Sequence, residues 1–182
     1  MELPVISFII PTIGRPTLQA AIDSVRPMLA DEIIVVGAVP DKVEGCVRYI
    51  HCERGNDWGC RERTLGMAHA RGLYLAFLDD DDVYLPGARE TMVEAIRATP
   101  GVPILFRMMY PNGYVLWRDP ELRCGNVSSD MIVIPNQPAM LGQWTIRREG
   151  DFDFLASMKW NHKDIAWRTE VTALQGHNDV FA

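Results

Sequence analysis

Leu73-Tyr-Leu-Ala-Phe-Leu78-Asp79-Asp80-Asp81-Asp82 is the stretch whose reading decides the fold. The first six residues carry no charge and no turn former, so they read as a strand at the centre of a sheet. Four aspartates follow with no spacer. Two unit charges about 4 Å apart repel by roughly 4 kcal/mol at an effective dielectric near 20. Such a cluster at the mouth of a sheet therefore implies a cation, and Mg²⁺ or Mn²⁺ suits an all-oxygen donor set. In open α/β sheets ligands bind beyond the carboxyl ends of the strands, which is where these aspartates fall.

Outward from this centre, strand and helix signals alternate. Val5–Ile10 is an apolar run closed by Pro11, followed by a helix with Leu18, Ala21, Ile22 and Val25 on one face, Thr17 as its cap and Pro27 as its stop. Glu32–Val36 and Val47–Cys52 read as strands, and Arg61–Arg71 as a helix closed by Gly72. After the aspartates, Pro86 opens a helix that buries Met92, Val93 and Ile96 and stops at Pro100-Gly101. Alternation of this kind specifies a parallel sheet flanked by helices. The second half differs. Ile104–Tyr110 and Tyr114–Trp117 flank Pro111-Asn112-Gly113 as a hairpin, and Met131–Ile134 is a further strand. Phe152–Trp160 and Lys163–Leu174 read as helices, the latter from Trp167, Val171 and Leu174 at helical spacing. The expected architecture is one α/β domain over residues 1–182. Residues 1–100 form a mostly parallel, Rossmann-like half, and residues 101–182 a smaller mixed half.

The 182 residues are 48% hydrophobic, enough for a real core, and no apolar run reaches the roughly 18 residues of a membrane span. Without a leader pattern, the expected location is cytoplasmic, with Cys46, Cys52, Cys60 and Cys124 as reduced thiols that neither bind zinc nor pair. The net charge of −6 weighs against a nucleic-acid partner. For Trp58, Trp117, Trp144, Trp160 and Trp167 core packing is the expectation.

Leu78–Asp82 with Pro86 resembles the metal-binding D-x-D motif of family 2 glycosyltransferases of the GT-A fold. Ser7-Phe-Ile-Ile-Pro-Thr12 with Gly14-Arg15 is similar to the family's first strand and turn. Asp23-Ser-Val25 and Glu32–Val36 resemble its first helix end and second strand. Trp58–Thr64, with Gly66, Ala70 and Gly72, resembles its G-x-x-x-A-R-N-x-G-x-x-x-A-x-G stretch. The ordered set covers residues 5–90. Two features depart from the pattern: Gly37-Ala38 stand where the family carries a base-reading aspartate, with Asp41 coming only later, and Gly14 and Thr64 replace asparagines.

The resemblance implies metal-dependent transfer of a sugar from a nucleotide-sugar donor, in the first instance a UDP-sugar, to an acceptor hydroxyl with inversion. It puts Asp79 and Asp81, with His177 as an added ligand, on Mn²⁺ or Mg²⁺. Pro11, Thr12, Arg15, Arg63, Asp79 and Asp80 would hold the donor. The general base falls in a stretch from Gly150-Asp-Phe-Asp153 to Trp160–Arg168, with Asp164 as first choice and His162 as second. A glycan, a lipid-linked sugar or a modified base in DNA are open as acceptors. A nucleotidyltransferase on a similar scaffold and a non-catalytic nucleotide- or glycan-binding relative are the alternatives.

Overall fold

A computed structural model describes residues 5–26, 31–38, 47–53 and 55–176, and the expectations placed on Pro27, Asp41, Cys46 and His177 lie outside these residues. The first half holds β1 (Ile6–Thr12), α1 (Leu18–Val25), β2 (Glu32–Gly37), β3 (Val47–His51), α2 (Cys60–His69), β4 (Tyr74–Phe77), β5 (Val83–Tyr84) and α3 (Ala88–Ala98). The second half holds β6 (Ile104–Met109), β7 (Val115–Leu116), β8 (Ile132–Pro135), α4 (Gly150–Ser157) and β9 (Ala166–Leu174), with 3₁₀ turns at Ser129–Met131 and His162–Asp164.

The strands form one sheet in the order β3-β2-β1-β4-β8-β6-β9-β5, with β7 hydrogen-bonded to β6. β3, β2, β1 and β4 are parallel. β8 runs antiparallel between β4 and β6, and β9 is parallel to β6. The α/β fold expected from the sequence is the one observed. The carboxyl ends of β1, β4, β6 and β9 therefore share one edge, and the amino end of β8 lies on that edge too.

Two cores sandwich the sheet, and the strand period of two assigns residues between them. Phe8 and Ile10 join the core under α1 and α3, while Ile9 joins Leu75, Phe77, Phe154 and Leu155 in the core of α4. Phe8, Phe77, Phe106 and Phe154 are wholly buried, each contributing about 2–3 kcal/mol by removal from water. α2 approaches β1 closely because Gly66 has no side chain: a Cβ there would lie 2.5 Å from Ile9 Cγ2.

Several local expectations are corrected. Lys163–Leu174 is no helix, because Ala166–Leu174 is the long strand β9. Two register shifts against β6, at Leu105/Arg107 and Arg107/Met108, break the strict inward–outward alternation that marks a strand. Thr17 does not cap α1, since its hydroxyl donates to the Asp80 carbonyl at 2.7 Å. α3 begins after Gly87, whose φ of 85° suits glycine, and not at Pro86. Helix α2 ends at Ala70, not at Gly72. Trp117, Trp144 and Trp160 are core residues, but Trp58 is 65% exposed. Cys52 is buried, Cys60 half-buried and Cys124 exposed, all as free thiols.

Candidate active site

The four aspartates leave β4 at the shared edge and open a cleft of about 470 Å³ lined by the β1 turn, the Gly55–Gly59 loop, the start of α2 and the end of β9. That volume is in the range of a small-molecule site. The aspartates have different surroundings, because successive residues in a tight turn face different neighbours.

Asp80 is a structural residue, 1% exposed. It accepts from the Thr12 hydroxyl at 2.6 Å and the Ile13 amide at 3.2 Å, and pairs with Arg15. Thr12 in turn accepts from the Gly14 amide at 2.9 Å. Burial works against the Arg15 charge, and Asp80, Asp81 and Asp79 outweigh it, so the Arg15 pKa is raised. Asp81 lies on the cleft wall with its carboxylate 3.6 Å from Arg15 Nε. Burial and the Asp79 and Asp80 charges raise its pKa against the pull of Arg15.

Asp79 pairs with Arg63, which the fold buries to 5% exposure. Arg63 is the keystone of this wall, not an exposed helix arginine. It donates to the Trp58 carbonyl at 2.7 Å and to Ser129 Oγ at 3.3 Å, and its guanidinium lies 4.9 Å from the Trp144 ring centre. Burial would strip its charge, but Asp79, Asp151 and Asp130 hold it firmly protonated.

Behind Asp79 lie two acids that the sequence reading left out, Asp130 and Asp151. β8 is antiparallel to β4, so the turn before it comes back beside the end of β4. Asp130 there accepts from the Asp79 amide at 2.9 Å. Burial, with Asp82 and Asp79 nearby, holds the Asp130 carboxyl well above the usual range, and its hydrogen bond with Asp82 adds to the rise. Burial pushes Asp82 up to about 7, against the hydrogen bonds from Asp130 and the Gly176 amide; the latter is 2.6 Å long. Asp79, Asp82 and Asp130 each present a carboxylate oxygen within 4.8 Å of the others, a set that can hold a metal ion. A hard cation with oxygens at about 2.1 Å spans such a set.

Asp151 sits in the first turn of α4. Burial raises its carboxyl to about 6, Arg63 and the Ser129 backbone hydrogen bond oppose the rise, and Asp79 adds to it. Asp153 on the same helix is spent on structure, with Arg147 Nε and Nη2 donating to it at 2.6 and 2.7 Å. The helix starts at Gly150, where a Cβ would lie 2.9 Å from the Thr145 carbonyl oxygen. Asp130 had no sequence signal beyond a polar trio before an apolar strand. Asp151 lay inside the stretch read as the base region, but the residue chosen lay farther along.

The structure does not bring Asp164 and His162 to this cleft. Both are exposed, in the 3₁₀ turn before β9. Nine residues of strand separate that turn from Gln175 and Gly176, which do line the cleft; at about 3.3 Å per residue this is about 30 Å. Pro11, Thr12, Arg15, Arg63, Asp79, Asp80 and Asp81 all line it.

The sequence matches the model of Glycosyl transferase family 2 over residues 7–168. No curated protein gives a significant sequence match. Among solved structures, S. aureus TarS 1-349 superposes with a TM-score of 0.71 at 15% identity, covering 100% of this chain and 62% of that one. TarS 1-349 in complex with UDP gives 0.69 at 15% identity, covering 96% and 60%. The complex with UDP-GlcNAc gives 0.67 at 14%, covering 100% and 62%. The chain thus spans about three-fifths of those proteins, and at such identity the likeness establishes the fold alone. Among the described residues no helix is long and apolar enough to cross a membrane. The parallel half-sheet, the acidic turn at its carboxyl edge and the match along nearly the whole sequence agree, and the chain belongs to glycosyl transferase family 2.

Proposed function

We propose that the protein transfers a sugar from a nucleotide-sugar, in the first instance a UDP-sugar, to an acceptor hydroxyl, with inversion and with Mn²⁺ or Mg²⁺. The observation that carries this is the buried Arg63 locked to Asp79 at the mouth of β4. It supplies a fixed positive charge where a departing diphosphate would gather negative charge. Six carboxyl groups and two guanidiniums line the cleft, so a diphosphate needs a cation to enter. The TarS structures with UDP and UDP-GlcNAc favour uridine.

The ion's ligands are Asp79 and Asp81. Asp82 and Asp130 are buried and hydrogen-bonded to one another, whereas the Asp79 and Asp81 side chains keep 36% and 30% of their surface open. When bound, the ion neutralises the leaving diphosphate. A second ligand set, Asp79 with Asp82 and Asp130, is favoured by the convergence of their oxygens. Arg15 and Arg63 hold the phosphate end of the donor, and Pro11-Thr12 shape its floor. Asp151 is the general base: a carboxyl raised to about 6 is mostly charged at neutral pH, yet basic enough to take the acceptor proton. One base on one face suits a single displacement, hence inversion.

Residues 1–100 form the donor half, and the acceptor is held by residues 101–182. The net charge of −6 argues against a nucleic-acid acceptor. A cytoplasmic setting suits the free thiols. Thermal shift with nucleoside diphosphates, with and without Mn²⁺, tests the reading. Ligand at about 100 times its dissociation constant adds about 2.7 kcal/mol, or a shift on the order of 5–10 °C. A Mn²⁺-dependent shift with UDP that Asp81→Ala abolishes is the expected result. No shift with any nucleotide would leave a non-catalytic domain.

A further inference from the structure

Glu62 is the anomalous carboxylate of the cleft. It lines the wall, is 3% exposed, and its Oε2 is out of water with no hydrogen-bond partner. Among the described residues the other cleft carboxylates are engaged: Asp79 by Arg63, Asp80 by Thr12 and Arg15, Asp82 by Gly176. Capping of α2 does not explain Glu62, because Asp57 already accepts from the Gly59 amide at 3.2 Å and the Arg61 amide at 3.3 Å. A buried acceptor with nothing to accept from is costly unless a ligand supplies the donor.

The position of Glu62 indicates which part of a ligand it meets. Its neighbour Arg63 reaches Asp79 and the phosphate end. Glu62 instead stands near Cys52, just past β3, on the side of the sheet away from β4. The end of β2 offers no reader there, since a Cβ at Gly37 would lie 1.9 Å from the Thr12 carbonyl oxygen.

We propose that Glu62 reads the nucleoside of the donor: its free carboxylate oxygen accepts a hydrogen bond from a base N–H or a ribose O–H that enters the cleft. This rests on the nucleotide-sugar reading above. Burial pushes the Glu62 carboxyl up, and a donated hydrogen bond would hold it charged. With one oxygen bonded to its own amide, Glu62 has a single acceptor to offer, which suits the lone imino N–H of uracil. Cytosine has a bare acceptor nitrogen at that place and is disfavoured. A site built around such an acceptor rejects ligands that lack the donor.

Titration calorimetry with UDP, CDP, 2′-deoxy-UDP and inorganic pyrophosphate, each with Mn²⁺, tests the assignment on the whole chain. The wild-type protein should bind UDP at least tenfold more tightly than CDP and than pyrophosphate. Glu62→Met should lose about tenfold for UDP and keep pyrophosphate affinity, which also shows that the variant is folded. Glu62→Gln, whose amide both donates and accepts, should bring UDP and CDP within about threefold. If 2′-deoxy-UDP binds more weakly than both UDP and CDP to wild type and Glu62→Met erases that gap, the contact is to the ribose. Unchanged UDP affinity and UDP-to-CDP ratio in both variants would overturn the proposal, as would equal losses for UDP and pyrophosphate. A wild type that binds pyrophosphate as tightly as UDP overturns it while leaving the phosphate end standing. A wild type that binds neither sinks it together with the donor reading.

Discussion

The two walls of the acidic turn hold their carboxylates in opposite ways. On the β1 side Asp80 is saturated by a hydroxyl, an amide and a guanidinium, all from the segment Thr12–Arg15. On the β8 side Asp82, Asp130 and Asp151 are carboxyls with pKa values raised by burial; Asp82 and Asp130 face each other, and Asp151 faces Arg63. The first wall is a clamp that sets the shape of the turn. The second is a group of carboxyls whose burial favours the protonated form. Neighbouring aspartates in one run thus have different surroundings because the β1 turn flanks one side and the β8 turn the other.

Replacing Asp151 with Asn breaks the chemical wall most severely. Loss of a general base costs 10²–10⁴ in rate, so sugar transfer should fall by about 10³, with UDP–Mn²⁺ affinity unchanged by calorimetry. Retained transfer would place the base elsewhere. The same residue sets a pH dependence with a definite sign. Asp151 acts when charged, and its carboxyl is raised to about 6. As pH falls below about 6, kcat/KM should therefore drop about tenfold per unit, and the limb should move lower as Mn²⁺ saturates. A rate flat down to pH 5 contradicts the assignment.

Asp80→Asn attacks the clamp instead. It leaves Arg15 without its closest partner and weakens the bonds from Thr12 and Ile13. Arg15 is half-exposed, so breaking the pair costs less than the about 3 kcal/mol of a fully buried one, and the melting temperature should fall by on the order of 5 °C. A variant that melts like wild type would remove the structural role. A smaller effect separates the two ligand sets. Asp81→Asn should weaken Mn²⁺-dependent UDP binding about tenfold and Asp82→Asn less than threefold. The reverse order would transfer the ion to Asp79, Asp82 and Asp130.

The donor wall was legible because its signals are local. An apolar strand, an acidic turn and a glycine-spaced helix all lie within Arg61–Asp82, and Arg63, Asp79 and Asp81 could be picked from them. The sequence also shows Gly37 in place of an aspartate, and the structure supplies the reason, a backbone contact with Thr12 that admits no side chain. The opposite wall was not legible. Asp130 reaches Asp79 only because β8 pairs antiparallel with β4 across 51 residues of chain. No periodicity records that pairing. Arg63 was identified by its motif, but its burial under Trp144 depends on a loop 81 residues away, which spacing cannot reveal.

β9 is the sharpest case, because the helix expected over Lys163–Leu174 is a strand and the residues before it lie at the far end of that strand from the cleft. On a helix, Asp164 would open the first turn and point at the cleft. On the observed strand it lies about 30 Å from the cleft end of β9. Nor does the 3₁₀ turn hold Asp164 in any built environment: the residue is exposed, and the cap of the turn is Asn161, whose side chain accepts from the Lys163 amide at 3.0 Å. Asp164→Asn and His162→Ala should therefore each leave transfer within about twofold and the melting temperature within about 1–2 °C, as for surface changes far from a site. A loss of transfer in Asp164→Asn with donor binding intact would mean that acceptor binding draws this turn to the cleft. That would require β9 to leave the sheet, which hydrogen exchange at Ala166–Leu174 would register as lost protection.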